Sequence, residues 1–406
     1  MPDAPPPPPF FGRLAQIING GLARSVVLAG EVHDLFYSPS AHQGRGGYVP
    51  LVDYLCDRCA IPSLITLVYE LNGPIRLLDG STAKSANPTP DHSLPTWQKV
   101  RAAWVAWKLG ASPDEITLRA LTDKTTARQR EVIEAEFDRN VMDVVGQPTV
   151  AFEFMRQLTH CSRAVDANGR PYLADHLLIL VEAADMSLPA GNGDIAALPH
   201  PDRHRIAIVQ DWFSDPGFMN GPDTVVLLAE SASLIHPRVA RLPATLTLSI
   251  DPPTTADRAH FVQHFLDQGG APAEHDPANP TIPETDAPAA EPAPRVRLWS
   301  TVDALARASA GMSLHALRRL LLDAAHRDTP VSPDDVIQHV ADFLANQLGE
   351  DVIEFKRPTH RLDAVVGATN LRGFLRDELI PRFRATGDDA LPGAAVAGPI
   401  GGGKTF

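Results

Sequence analysis

The stretch Gly398-Pro399-Ile400-Gly401-Gly402-Gly403-Lys404-Thr405 has the spacing G-x-x-x-x-G-K-[ST]. Glycines at these positions let the backbone curl so that successive N–H groups point inward at a phosphate. Lys404 then reaches the β- and γ-phosphates of ATP, and the Thr405 hydroxyl sits on the accompanying Mg²⁺. From ordinary residue frequencies, a chance match in a chain this long has a probability of about 1%. The competing reading is a glycine-rich tail with an incidental lysine. A short apolar strand, AAVAG (394–398), precedes the loop, as the motif requires. The helix whose first amides and dipole should face the anion has only Phe406 to begin it. Nor does a later strand supply an acidic partner for Mg²⁺. The expectation is that the 406-residue chain binds ATP weakly, does not hydrolyse it and carries no catalytic residue of its own.

Other residues of suggestive type and spacing have a plainer competing reading. Cys56-Asp57-Arg58-Cys59 puts two sulfurs on one helical face, but no second C-x-x-C completes a zinc site, so core packing is favoured. His33-Asp34 in GEVHDLF has the types of a base and its orienter, with no nucleophile beside them; a local cap or bridge is favoured. Trp97, Val100, Trp104 and Trp107 recur at helical spacing and read as a core stripe in preference to a partner-binding one. The basic residues of HPRVARLP (236–243) are too few to suggest nucleic acid.

Positioning such residues requires a scaffold, and the apolar pattern describes one. SVVLAG (25–30), LITLVYEL (64–71), HLLILVEA (176–183), TVVLLAE (224–230) and TLTLSI (245–250) read as strands. Most are nearly continuous apolar runs, as in a parallel sheet covered on both faces. Helical stretches YVPLVDYLCDRCA, AFEFMRQLTHCSRAV and RHRIAIVQDWFSD alternate with them, which predicts a doubly wound α/β core. An insertion at about 80–149 holds two further helices, TWQKVRAAWVAWKLG and TTARQREVIEAEFDRNVMDVV.

The remainder divides by composition. Residues 1–20 are assigned to a proline-rich tail, 21–266 to the α/β core and 267–295 to an acidic, proline-rich linker too poor in apolar residues to offset its ordering entropy. Residues 296–355 read as a small helical bundle, with Gly311 a C-terminal stop and Ser313 and Ser332 as caps. Residues 356–406 read as the start of a second α/β module, with helix GATNLRGFLRDELIPRFRATG leading to the strand and loop. The net charge of −13 argues against a dedicated nucleic-acid binder. Three cysteines and the absence of a secretory leader or a run of ~18 apolar residues point to a cytoplasmic protein without a membrane span.

The run from Arg361 to Thr405 resembles the opening of an AAA+ ATPase module: Asp363, Val365 and Gly367 in D-x-V-x-G, then helix, strand and phosphate loop. The segment from Ala304 to Val336 is similar to the helical lid of that family, with Ala308 to Ser313 at its T-x-G-[FLMY]-s element. Residues 22–266 resemble the preceding P-loop-NTPase-like core in topology only. Where its phosphate loop belongs, the sequence reads LAGEVHDLFYSPS. Glu182 stands alone near the family's acidic pair, Glu230 and Ser231 near its γ-phosphate sensor, and Arg238 and Arg241 near its arginine fingers. The resemblance implies a two-module ATPase with a degenerate first module and a second module cut after its phosphate-binding loop. It further implies ATP and Mg²⁺ as cofactors, a homo-oligomeric ring for the longer product, and an unidentified macromolecular client. A second reading, from a different class, is a non-enzymatic scaffold or regulator built on the same dead module.

Overall fold

The computed structural model describes residues 4–78, 94–191, 195–268, 296–339 and 369–385, and these fall into two units, 1–340 and 341–406. The phosphate-loop residues 398–405, the acidic linker from residue 269 and the strand at 394–398 lie outside the described residues.

The first unit is built on a sheet of β1 (Ser25–Gly30), β4 (Leu64–Tyr69), β5 (Arg76–Leu78), β6 (His176–Val181), β7 (Thr224–Ala229) and β8 (Thr245–Ile250), in the order β5-β4-β6-β7-β1-β8. All neighbours run parallel except β5, which returns antiparallel on β4. A separate antiparallel hairpin, β2 (Leu35–Ser38) with β3 (Gly47–Pro50), follows β1. All five strands anticipated from apolar runs are present. The short strands β2, β3 and β5 are not visible as apolar runs.

Alternation along each strand feeds two cores. Val27, Leu67, Ile179 and Leu227 face one side, with Trp97, Trp104, Phe137, Phe152, Met155 and Trp212. Val26, Leu28, Val68, Leu180 and Val226 face the other. A strand buried on both faces has no polar side to show, which is why these runs lack the polar alternation of a half-exposed strand. On the first face lie α4 (Pro95–Leu109), α6 (Lys124–Met142), α7 (Pro148–Arg163) and α9 (His200–Ser214). Between α4 and α6 sits α5 (Pro113–Thr122), opened by a Ser112/Glu115 capping box. The tryptophan stripe is therefore core, and the indole N–H of Trp97 donates to Asp138 (3.3 Å).

The second face is covered by α1 (Pro9–Gly20) and α3 (Leu51–Arg58). Residues 9–20, grouped by composition with the proline tail, thus form a core helix. Pro9 opens it, where no N–H is needed, and Gly21 ends it at φ +63°. Phe10, Leu14 and Ile17 lie on one face and are buried, worth roughly 1.5–3 kcal/mol each in apolar transfer. Proline enrichment hid an apolar stripe that also takes in the half-buried Phe11 and Ile18.

Past β8 the pattern is helical: α12 (Thr255–Asp267), α13 (Val302–Ala308) and α14 (Leu314–His326), followed by helix over 333–339. The remaining helices are short turns: α2 (Ala41–Gly44), α8 (Ala184–Ser187), α10 (Pro216–Met219) and α11 (Pro237–Ala240). A third core joins Phe261, Val262 and Phe265 of α12 to Leu305, Leu314, Leu317 and Leu321, and also takes in Leu35 of β2. Ser313 accepts the Ala316 N–H (3.1 Å), and Ser332 and Asp335 cap each other's amides, as the sequence led one to expect. Among the described residues no helix is long and apolar enough to cross a membrane.

In the second unit residues 369–384 form the anticipated helix, widened to π geometry over Leu375–Leu379. Pro381 offers no N–H to the Asp377 carbonyl and its ring crowds it, so the turn opens there.

Candidate functional site

In an open parallel sheet, ligands bind beyond the carboxyl ends of the strands. Here that edge carries an open cleft of about 750 Å³, lined by Val32 and His33 after β1, Glu182, Ala183 and Asp185 after β6, and Glu230 and Ser233 after β7. Three of the residues singled out from sequence, His33, Glu182 and Glu230, are brought together.

Gly30 ends β1 with φ +121°, and a Cβ there would stand 2.3 Å from the carbonyl oxygen of Ile250. Only glycine lets the strand leave the sheet this close to β8. The chain then turns into the β2–β3 hairpin and reaches α3 with no Gly-Lys-Ser/Thr run.

Glu182 is paired. Its Oε1 accepts from Arg76 Nη2 at 3.0 Å, and Glu70 Oε1 lies 4.0 Å from the same nitrogen. The Arg76 side chain is only 13% exposed. Burial pushes the Glu182 carboxyl above its ordinary range, Arg76 draws it back, and Glu70 and Asp53 push it up again. Arg76 was not singled out from sequence because β5 has just three residues. The available signal was the Asn72-Gly73 dipeptide, a turn marker between two apolar runs.

Across the cleft His33 Nε2 stands 3.4 Å from Glu230 Oε1, with both side chains mostly exposed, so the contact is worth little. The Glu230 N–H donates to Asp185 Oδ2 (3.1 Å). Ser231 accepts the Ser233 N–H (3.3 Å) and so caps a turn. Arg238 and Arg241 are exposed on and beside α11 and do not line the cleft. Ala183, next to Glu182, holds a left-handed backbone (φ +47°) from which its carbonyl accepts the Met186 and Ser187 amides, a conformation that costs a non-glycine residue about 1–2 kcal/mol.

Asp34 turns away from His33. Its Oδ2 accepts the Leu314 N–H (3.0 Å) and its Oδ1 the His315 N–H (2.9 Å), at the start of α14. The two residues therefore form no base–orienter pair, and the bridge spans 280 positions where a local one was favoured. Burial raises the Asp34 carboxyl, and the Leu314 and His315 amides lower it in part.

Cys56 is buried in the second core and Cys59 is half-buried, with no disulfide. Burial raises both thiols, that of Cys59 to about 11, so neither forms a reactive thiolate at neutral pH. Among the described residues no group of three or more His, Cys, Asp or Glu could hold a metal ion.

These groups do not fit a nucleotide. A triphosphate needs inward amides and a lysine, yet the cleft presents Glu182, Asp185 and Glu230, and its lining includes no Lys or Arg.

Residues 1–251 match the family model described as "AAA+ chaperone, N-terminal Rossmann-like domain". No curated protein matches the sequence. Among solved structures, the chain is similar to one in the "Structure of E. coli MS115-1 HORMA:CdnC:Trip13 complex", at 12% identity and a TM-score of 0.39, covering 81% of this chain and 86% of that one. The family match takes in the whole sheet and both of its cores, and the chain belongs to the AAA+ chaperones that carry this N-terminal Rossmann-like domain.

Proposed function

We propose that this protein is the amino-terminal part of an AAA+ ATPase that uses ATP to remodel a macromolecular partner, with residues 21–266 a platform that binds no nucleotide. The observation that supports the platform reading is the cleft beyond the sheet: its lining includes Glu182, Asp185 and Glu230 and no Lys or Arg, and Glu182 is already paired with Arg76. The proposal assigns nucleotide to 398–405, with the amides from Gly398 to Gly403 cradling phosphate, Lys404 on the β- and γ-phosphates and Thr405 on Mg²⁺. ATP supplies there the free energy of a cleaved phosphoanhydride. In this reading 296–355 is the lid of the first module and 356–406 the start of the second, and the active assembly is a homo-oligomer. Family membership supports the remodelling role; the client is not specified by any residue described above.

The test is binding of a fluorescent ATP analogue with Mg²⁺ to the chain, followed by anisotropy. Lys404→Ala is expected to remove the binding, while Glu182→Gln and Glu230→Gln leave it intact. Binding that survives Lys404→Ala but falls with the glutamate variants would move the site to the first module. No binding in any form would favour the scaffold reading.

A further inference from the structure

The first four amides of a helix have no partner within it. At the start of α14 the amides of its first three residues are taken by side chains: Ser313 Oγ accepts the Ala316 N–H at 3.1 Å, and Asp34 accepts those of Leu314 and His315. Asp34 is 4% exposed and belongs to the turn leaving β1. A carboxylate here meets both the free amides and the positive end of a thirteen-residue helix.

The neighbouring contacts point the same way. Leu35, the next residue, is buried among Phe261, Leu314 and Leu317. From β3, Tyr48 packs edge-on against Phe261 (4.8 Å between ring centroids), and its hydroxyl lies 2.7 Å from His260 Nδ1. On α12 the Arg258 Nε–H donates to the Ala306 carbonyl (3.0 Å), tying α12 to α13. The connection between β1 and α3 thus grips the helical segment by the Asp34 carboxylate, the Leu35 anchor and the rings of Tyr37 and Tyr48 against α12.

We propose that Asp34 is an internal latch: its carboxylate holds α14, and with it α12 and α13, on the sheet without any ligand, so that these helices do not open and close with nucleotide. The inference is independent of whether residues 398–405 bind ATP.

The test is amide hydrogen exchange, read at Leu314 and His315 with Val27 of β1 as the internal control. Two hydrogen bonds to a charged acceptor are lost in Asp34→Ala, and exchange at both amides is expected to quicken about 100-fold, at ~1.4 kcal/mol per tenfold step. Acetate, which restores the missing carboxylate, is expected to slow it again, whereas chloride at equal ionic strength is not. Asp34→Asn keeps the shape and loses the charge, and roughly tenfold faster exchange is expected with Val27 unchanged. The Asn variant decides the matter if the Ala variant does not fold. Unchanged protection of Leu314 and His315 in Asp34→Asn would overturn the latch, as would equal loss at Val27, which would make Asp34 a general stability residue.

Discussion

Replacing Arg76 by methionine keeps the length and apolar stem of the side chain while removing the guanidinium that Glu182 rests against. At 3.0 Å and an effective dielectric of about 20, the gross attraction is on the order of 5 kcal/mol. Desolvation of the two groups offsets most of it. Exposed pairs are worth about 0.2–1 kcal/mol, and losing one partner of a fully buried pair costs about 3–5 kcal/mol. With side chains 13% and 31% exposed, this pair falls between those limits, and the expected loss is about 2 kcal/mol. Urea denaturation followed by tryptophan fluorescence measures it, since Trp97, Trp104 and Trp212 are all buried in the first core. The double variant Arg76→Met/Glu182→Gln should recover roughly half of the loss, because no charge is then left stranded. Arg76→Met should also raise the Glu182 carboxyl further, since the largest lowering influence on it is gone. That added penalty falls on the ionised form, so the variant's deficit should widen as pH rises above the ordinary glutamate range. A loss below about 0.5 kcal/mol, with no recovery in the double variant, would show that Glu182 is not held by Arg76. Glu182 would then again be a free carboxylate at the end of β6, and the platform reading would rest on the cleft lining alone, which has no Lys or Arg.

Asp223 and Gly30 give two further outcomes. Asp223 accepts from Leu177 N–H (2.9 Å) and from the Ser162 hydroxyl, but burial dominates and raises its carboxyl above 3.8. A raised acid is favourable to the fold while protonated, so its contribution is fully present below the unfolded value and declines as pH climbs toward the folded one. The stability of the wild type relative to Asp223→Asn should therefore fall from pH 3.8 upward; a difference that grows in favour of the wild type would mean that its hydrogen bonds outweigh burial. Gly30→Ala places a methyl 2.3 Å from a backbone oxygen at a φ of +121°, and a loss of about 2–3 kcal/mol in urea unfolding is expected. An unchanged midpoint would mean that β1 and β8 part easily.

Much of this architecture was legible in the sequence because burial on both faces leaves a one-dimensional trace. The runs at β1, β4, β6 and β7 are too apolar for half-exposed strands, while β8 is an edge strand with exposed Leu246, Thr247 and Ser249, and helices punctuate the runs at the spacing a parallel crossover needs. Helix caps were legible for the same kind of reason. Ser313 and Ser332 act within a few residues of themselves, so their role is written locally. The chemical poverty of the loop after β1, with no Gly-Lys-Ser/Thr, is likewise a matter of residue type alone.

Tertiary structure decided whatever depends on residues far apart in the chain. Nothing near Asp34 reveals that it caps a helix 280 positions away, because the partner amides belong to backbone and carry no sequence signature. Arg76 meets Glu182 only because a three-residue strand returns beside β4, and a strand that short leaves no period to read. The proline-rich start shows the limit from the other side: its composition suggests a loose tail, yet Phe10, Leu14 and Ile17 make residues 9–20 part of the core, since packing energy outweighs local propensity once a sheet face is there to receive them. Short-range chemistry fixes what each residue can offer; the fold alone determines which distant group accepts it.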